Sequence, residues 1–341
     1  MPGRRDAVCR GVSATGKARL SELHRFIFEG QPVRGMLVRL TDGWQEVLAR
    51  RATADDGFDA PVRALLGEMA AAAVLMQANI KFDGALILQM HGDGPVQLAV
   101  AEAQPALTFR VTAKVSGEVP EGARLEALLN VHGKGRCAIT LDPKDKAPGR
   151  QPYQGVVPLH GDAREPLQEL GEVLEHYMLQ SEQLDTRLIL AADDRVAAGL
   201  LIQRLPRSGA GNLGGRDEDE IGINESYNRI AHLASTLTRA ELLNLDADTV
   251  LRRLFWEERL ICFAPQTGDA GPRFACSCSR GRVGNMLKGL GREEVDGIVV
   301  EQGRVEIACE FCGQKYHFDA VDVGELFTPG RDQPPGSQSL N

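Results

Sequence analysis

Residues 274–282 read Phe-Ala-Cys276-Ser-Cys278-Ser-Arg280-Gly-Arg282, and residues 309–316 read Cys309-Glu-Phe-Cys312-Gly-Gln-Lys-Tyr316. Four of the chain's seven cysteines thus fall in two close pairs with thirty residues between them. Zinc takes four soft ligands in a tetrahedron at about 2.3 Å, and two such pairs folded against each other supply it. Gly313, directly after the last cysteine, suits a knuckle in which backbone amides approach the sulfurs. Four unrelated buried thiols would not stand in pairs at both ends of one compact segment. The expectation is one Zn2+ held by Cys276, Cys278, Cys309 and Cys312.

The segment between the pairs reads as part of the same module. Ser279 can cap a helix whose Val283, Met286, Leu287 and Leu290 share a face, and Gly291 can end it. Ile298 to Ile307 reads as a hairpin around Gln302-Gly303. Residues 271–330 carry seven basic and nine acidic side chains, whereas a nucleic-acid-binding ribbon is ordinarily basic. The C-x-C spacing is the less common form of pair. Extended backbone points residues i and i+2 the same way, with Cα atoms about 6.6 Å apart. That is near the upper limit for a disulfide, so a bond there is strained and easily reduced again. Arg280, Arg282 and Lys315 stand near the cysteines; they either favour thiolates or are solvated surface charge.

Upstream, Ala264 to Pro272 is a Pro/Gly-containing spacer, and Ile223 to Phe263 reads as wholly helical. Tyr227, Ile230, Leu233, Ala234 and Leu237 form one stripe. Thr238 with Glu241 fits a capping box opening a second helix. Asp246 or Asp248 can cap a third, carrying Val250, Leu251, Leu254 and Phe255. Helices this short are marginal unless an apolar face is packed. Between Pro206 and Glu220 the composition turns abruptly to Gly, Ser and charge, as in an exposed insertion. The tail from Thr328 is Pro, Gly, Ser and Gln, a composition that does not build a core.

The first two hundred residues mix helix and strand signals. Pro61 to Ile80 is the clearest helix, with Val62, Leu65, Leu66, Met69 and Ala73 at helical spacing. Ala85–Met90, Val96–Val100 and Leu107–Val115 read as strands. The tetrapeptides at 91–94 and 132–135 read as turns. A helix from about Pro166 to Leu184 and a strand from Arg187 to Ala191 complete an α+β unit. The predicted organisation is an α+β core domain over 1–207, an insertion over 208–222, a helical linker over 223–270, a four-cysteine zinc domain over 271–327, and a tail over 328–341.

Composition agrees with a folded, water-soluble chain. Of 341 residues, 43% are apolar and 25% charged, with 39 basic against 47 acidic side chains for a net charge of −8. An acidic balance argues against a chain-wide nucleic-acid or anionic-membrane role. The longest apolar run, Met69 to Met76, is far below the ~18 residues of a bilayer span, so no membrane role is expected. Arg4 and Arg5 are followed by no apolar signal region, and the expected location is cytoplasmic.

Several weaker signals carry less. Residues 209–214 match G-x-G-x-x-G, but Pro206 intervenes after the strand-like run and an acidic segment follows, so the phosphate-binding context fails. His132 lies five residues before Cys137, yet a lone cysteine in Cys137-Ala-Ile-Thr reads first as core. Cys9 and Cys262 have no neighbouring partner in sequence and read as spectators. His317 is an unnecessary fifth candidate ligand.

The order Cys276-x-Cys278-Ser-Arg, then Cys309-Glu-Phe-Cys312-Gly-x-x-Tyr316, resembles the redox-regulated 33-kDa heat-shock protein (33-kDa chaperonin) family. Leu65-Leu66-Gly67-Glu68, Gly92-Asp93-Gly94-Pro95, Tyr153-Gln154-Gly155-Val156-Val157, Ser181-Glu182-Gln183-Leu184, Gln203-Arg204-Leu205-Pro206 and Glu241-Leu242-Leu243 extend the resemblance in order over residues 20 to 327. Asp185, where proline is expected, the 208–219 segment and the tail depart from it. The resemblance implies an ATP-independent holdase, not an enzyme, inactive while four thiolates hold zinc. Oxidation by hypochlorous acid, or by peroxide with mild unfolding, joins Cys309–Cys312, releases zinc and unfolds the C-terminal domain. The linker then loosens, Cys276–Cys278 closes, and exposed apolar surface captures unfolding clients, commonly as a homodimer. Tyr227, Ile230, Leu233, Leu237, Leu251, Leu254 and Phe255 are the candidate client-binding residues, and equally read as helical core. Two other readings stay open: a zinc-ribbon binding module with fixed metal, acting on nucleic acid or protein, and a thiol-disulfide oxidoreductase using Cys309 and Cys312. The last expects a reactive cysteine at a helix N-terminus.

Overall fold

The computed structural model describes residues 20–52, 57–145, 151–205 and 217–328, and the chain divides into two compact units, residues 1–275 and 276–341. In the first, β1 (Glu22–Phe28) and β2 (Val33–Leu40) lead into α1 (Asp42–Ala52) and α2 (Ala60–Asn79). The strands β3 (Gly84–His91), β4 (Val96–Ala103) and β5 (Thr108–Val115) follow, then the short α3 (Leu125–Leu129), β6 (Arg136–Pro143) and β7 (Tyr153–Pro158). Next come α4 (Leu170–Glu182), β8 (Thr186–Ala192) and β9 (Ala197–Arg204). The linker consists of α5 (Asp217–Ser235), α6 (Arg239–Asn244) and α7 (Ala247–Leu254), and the chain then returns as β10 (Leu260–Cys262), β11 (Gln266–Thr267) and β12 (Arg273–Phe274).

These strands make two sheets. One has the order β10-β1-β2-β9-β8, with β11 also on β1; the other has the order β12-β5-β4-β3-β6-β7. The α2 helix lies between them and packs on strands of both. Its Leu66, Met69, Leu75 and the run Ala70–Ala73 are buried, as a helix apolar on every side must be. At Gly67 it comes close to the first sheet, since a Cβ there would stand 2.4 Å from that of Ala192. The predicted α+β core is observed, with helices and strands at Pro61–Ile80, Ala85–Met90, Val96–Val100, Leu107–Val115 and Arg187–Ala191 extended by a few residues at most. The helix expected from Pro166 starts later, at Leu170.

A second apolar layer covers the other face of the first sheet. Phe26, Phe28, Val33, Leu37, Leu200 and Ile202 meet Tyr227, Ile230, Leu237, Leu242, Val250, Leu251, Leu254 and Phe255 from the linker helices. The expected capping box is present, with Thr238 accepting from the Glu241 N–H and Glu241 reaching back. Asp246, not Asp248, caps α7 by accepting from the Thr249 N–H. The expectation of helix through Phe263 is corrected: helix ends at Leu254, and Phe26 pairs with Cys262 across β1 and β10. The Leu-Ile-Cys run completes a sheet edge, a long-range pairing that helical periodicity cannot register. Of the expected 208–222 insertion, residues 217–222 belong to α5, and the rest lies outside the described residues, as does the tail beyond Thr328.

The second unit contains α8 (Arg280–Leu290), α9 (Arg292–Gln302), β13 (Val305–Ala308), β14 (Lys315–Phe318) and α10 (Ala320–Phe327). Ser279 caps α8 by accepting from the Arg282 N–H, and Gly291 ends it, as expected. The expected hairpin at 298–307 is a correction: those residues continue α9 to Gln302, where Gly303 takes φ 77° and stops the helix. The expected shared face of the first helix is also narrower. Leu287 is buried and Val283 half-buried, but Met286 and Leu290 are exposed. Among the described residues no helix is long and apolar enough to cross a membrane.

Candidate metal centre

Cys276 and Cys278 lie just before α8, on the short irregular segment that follows β12 after one residue. Cys309 and Cys312 lie in the turn joining β13 to β14. The turn is tied at its neck by the Cys309 N–H donating to the Gln314 carbonyl at 2.9 Å and the Gly313 N–H donating to the Cys309 carbonyl at 2.8 Å. Gly313 adopts φ 68°, a left-handed value that suits glycine. The sequence placed a small residue there for amide approach; the fold uses it to reverse the chain.

The four ligand atoms lie within 4.8 Å of one another. Cys276 Sγ stands 3.7 Å from Cys309 Sγ, and Cys278 Sγ stands 3.4 Å from Cys312 Sγ. A tetrahedron with arms of about 2.3 Å has edges of about 3.8 Å, so the sulfurs already outline a zinc-sized site. The backbone N–H of Cys278 serves the Cys276 sulfur, those of Cys312 and Phe311 serve Cys309, and that of Gln314 serves Cys312. The Tyr316 hydroxyl donates to Cys278 Sγ at 3.1 Å. Cys312 is buried and the other three are half-buried.

Ionisation of this cluster is uneven. Burial pushes the Cys312 thiol well above its ordinary value, with the neighbouring thiols adding to the rise. Burial also raises Cys309, against its two backbone donors and with the Cys276 charge adding to it. Burial opposes ionisation at Cys276 too, but the Cys278 N–H and the surrounding thiols outweigh it and hold that pKa below the ordinary thiol value. Like charges this close do not ionise together without a cation among them. A divalent, thiophilic ion is what allows all four to be thiolates.

The other sequence candidates separate from this site. His317 pairs with Glu306 at 3.3 Å and is not in the cluster. Cys137 is fully buried, and burial pushes its thiol up to about 12, the opposite of an activated nucleophile. Cys262 lies on β10 and is not in the cluster; Cys9 and the glycines of 209–214 lie outside the described residues. The C-x-x-C stands in a β-turn, and the next helix begins only at Ala320, so Cys309 lacks the helix N-terminus of an oxidoreductase. Tyr227, Ile230, Leu237, Leu251, Leu254 and Phe255 are buried and Leu233 is half-buried, all in the layer over the first sheet. Sequence reading missed the sheet side of that layer, although Val33, Leu37 and the Phe26/Phe28 alternation are a strand signal. It also missed the donor role of Tyr316.

Comparison with known proteins agrees with this architecture. The family model described as Hsp33 protein matches residues 21–319. The 33 kDa chaperonin of Chromobacterium violaceum is 47% identical over 307 residues, covering 90% of this chain and 93% of that one. The 33 kDa chaperonin of Neisseria meningitidis serogroup A is 43% identical over 304 residues, covering 89% and 90%. The crystal structure of the 33 kDa chaperonin from Thermotoga maritima superposes with a TM-score of 0.70 at 20% identity, covering 90% of this chain and 98% of that one. With a matched model over most of its length and relatives above 40% identity, the chain belongs to the Hsp33 family.

Proposed function

We propose that this chain is an ATP-independent holdase held inactive by one Zn2+ on Cys276, Cys278, Cys309 and Cys312, and activated by oxidation of those ligands. The carrying observation is the convergence of four sulfurs in a unit whose buried apolar core, among the described residues, is five side chains, Leu287, Val295, Val305, Phe318 and Val323. A unit this small ordinarily needs a staple. Structural zinc contributes about 10–16 kcal/mol, against about 5–15 kcal/mol for a whole domain. Removing the ion therefore unfolds the unit.

Each disulfide forms as two thiols lose two electrons and two protons while one hydrogen peroxide is reduced to two waters. Its partners, Cys276 with Cys278 and Cys309 with Cys312, are taken from the family resemblance, since sulfurs of different pairs also lie in contact range. Unfolding after Ala275 loosens β12 and the linker before it. The client surface is then the layer now closed, with Tyr227, Ile230, Leu233, Leu237, Leu251, Leu254 and Phe255 on one side and Phe26, Phe28 and Leu37 on the other. Trp256 and Phe263, exposed at the linker's end, extend it. Unfolding proteins are the clients, the oxidised form is a homodimer, and the site of action is the cytoplasm.

The test follows metal and thiols together. Peroxide with mild heating is expected to release one zinc per chain and form two intramolecular disulfides, with suppression of client aggregation appearing only afterwards. Equal suppression by the reduced, zinc-loaded protein would rule the switch out.

A further inference from the structure

Backbone N–H groups serve the sulfur of Cys276, from Cys278, that of Cys309, from Cys312 and Phe311, and that of Cys312, from Gln314. Cys278 receives a side-chain donor, the hydroxyl of Tyr316 at 3.1 Å. Tyr316 is fixed where it stands by the β13–β14 pairing, opposite Ile307, and it packs against the small core of the unit. It lies four residues beyond Cys312 in sequence but reaches across to the first cysteine pair. A hydrogen bond from a neutral donor to a thiolate draws electron density from sulfur, and such outer partners set the reactivity and affinity of a metal site.

We propose that Tyr316 is a positioning residue that acts as a brake on oxidation of Cys278, by donating its phenolic proton to the sulfur and so withholding the electron pair that attacks oxidant. The inference rests on the switch reading above. In the attack, the Cys278 sulfur forms a bond to one peroxide oxygen and the O–O bond breaks. The sulfur is oxidised by two electrons to a sulfenic acid and the second oxygen leaves as hydroxide. A neighbouring thiol then displaces water from that sulfenic acid to close a disulfide. With its electron pair shared with Tyr316, Cys278 is the slower nucleophile.

The experiment compares wild type with Tyr316→Phe, both zinc-loaded, in dilute hydrogen peroxide with mild heating. Pulse alkylation and peptide mass spectrometry read Cys278, and a chromophoric chelator reads released zinc. Tyr316→Phe keeps the ring and removes only the donor, so Cys278 oxidation and zinc release are expected to quicken by about tenfold. Cobalt-substituted protein supplies a readout that packing alone does not move: losing the donor shifts the sulfur-to-cobalt charge-transfer band to lower energy. Should the variant not retain metal, 3-fluorotyrosine at position 316, a stronger donor of the same shape, is expected to slow Cys278 oxidation. Unchanged or slower oxidation in Tyr316→Phe, or faster oxidation with 3-fluorotyrosine, overturns the brake while leaving the switch intact. A wild-type protein that keeps its zinc under peroxide with mild heating overturns both.

Discussion

Cys309→Ser is expected to leave residues 276–328 without metal and largely unfolded and the linker helices loosened, while the core around α2 stays folded. Cys309 supplies one corner of a site whose sulfurs lie within 4.8 Å, and its backbone N–H and carbonyl both brace the turn that presents Cys312. A serine hydroxyl is not a thiolate, so the variant keeps three soft ligands and loses most of the ion's ~10–16 kcal/mol. Five buried side chains do not replace that. The first unit has its own core around α2 and does not need the ion. Zinc retained through a chelator wash, together with hydrogen exchange along the chain, measures the outcome. Amides beyond Ala275 should exchange freely, and some client protection should appear without oxidant. Wild-type metal retention would remove Cys309 from the ligand set, and a protected unit without metal would end the staple argument.

Arg39→Met should loosen the linker while leaving zinc and thiols untouched. Arg39 lies on β2, is 3% exposed, and reaches into the last turn of α6. It donates to the Leu242 carbonyl at 2.5 Å and to the Leu243 carbonyl at 3.1 Å. These are end-of-helix carbonyls with no further turn to bond, where a cation is also favoured by the helix dipole. Methionine keeps the apolar stem and removes the donors, at a cost of about 2–3 kcal/mol. The opposite end of α6 is still held, by Arg239 to Glu68 at 2.7 Å and to the Ala192 carbonyl, so the helix should fray rather than leave outright. Amides of α6 and α7 in the reduced, zinc-loaded variant are expected to exchange about thirty- to a hundred-and-fortyfold faster, and oxidant should be needed at lower dose. Wild-type protection across 239–254 would show that Arg39 does not hold the linker. Faster exchange with no gain in client capture would instead move the client surface elsewhere.

The metal ligands were legible because both pairs are local in sequence and thiol chemistry is narrow. The helix caps at Ser279, Thr238 and Asp246 were legible for the same reason, since each satisfies donors three residues away. The misreadings share a cause of the opposite kind. Ile298-Val-Val300 looks like strand by its β-branched side chains, yet it extends a helix that buries Val295 and half-buries Ile298 and Val299 against Phe318 and Val323. Arg292 with Asp296, and Glu293 and Glu294 in the first turn, support that helix. Leu260–Cys262 erred the other way, read as helix because β1 lies more than two hundred residues distant.

Chain order alone determined that four thiols would gather, that a soft ion suits them, and that the helices from 223 onward are too short to stand unsupported. Tertiary structure decided what supports them: an apolar sheet face from residues 26–37 and 200–202, a buried guanidinium from β2, and a phenol brought from β14 to the first cysteine pair. Caps, turns and ligand pairs are contacts between near neighbours, whose geometry the backbone itself sets. A covered face or a borrowed hydrogen bond joins segments whose meeting depends on every loop between them, and only the folded chain specifies it.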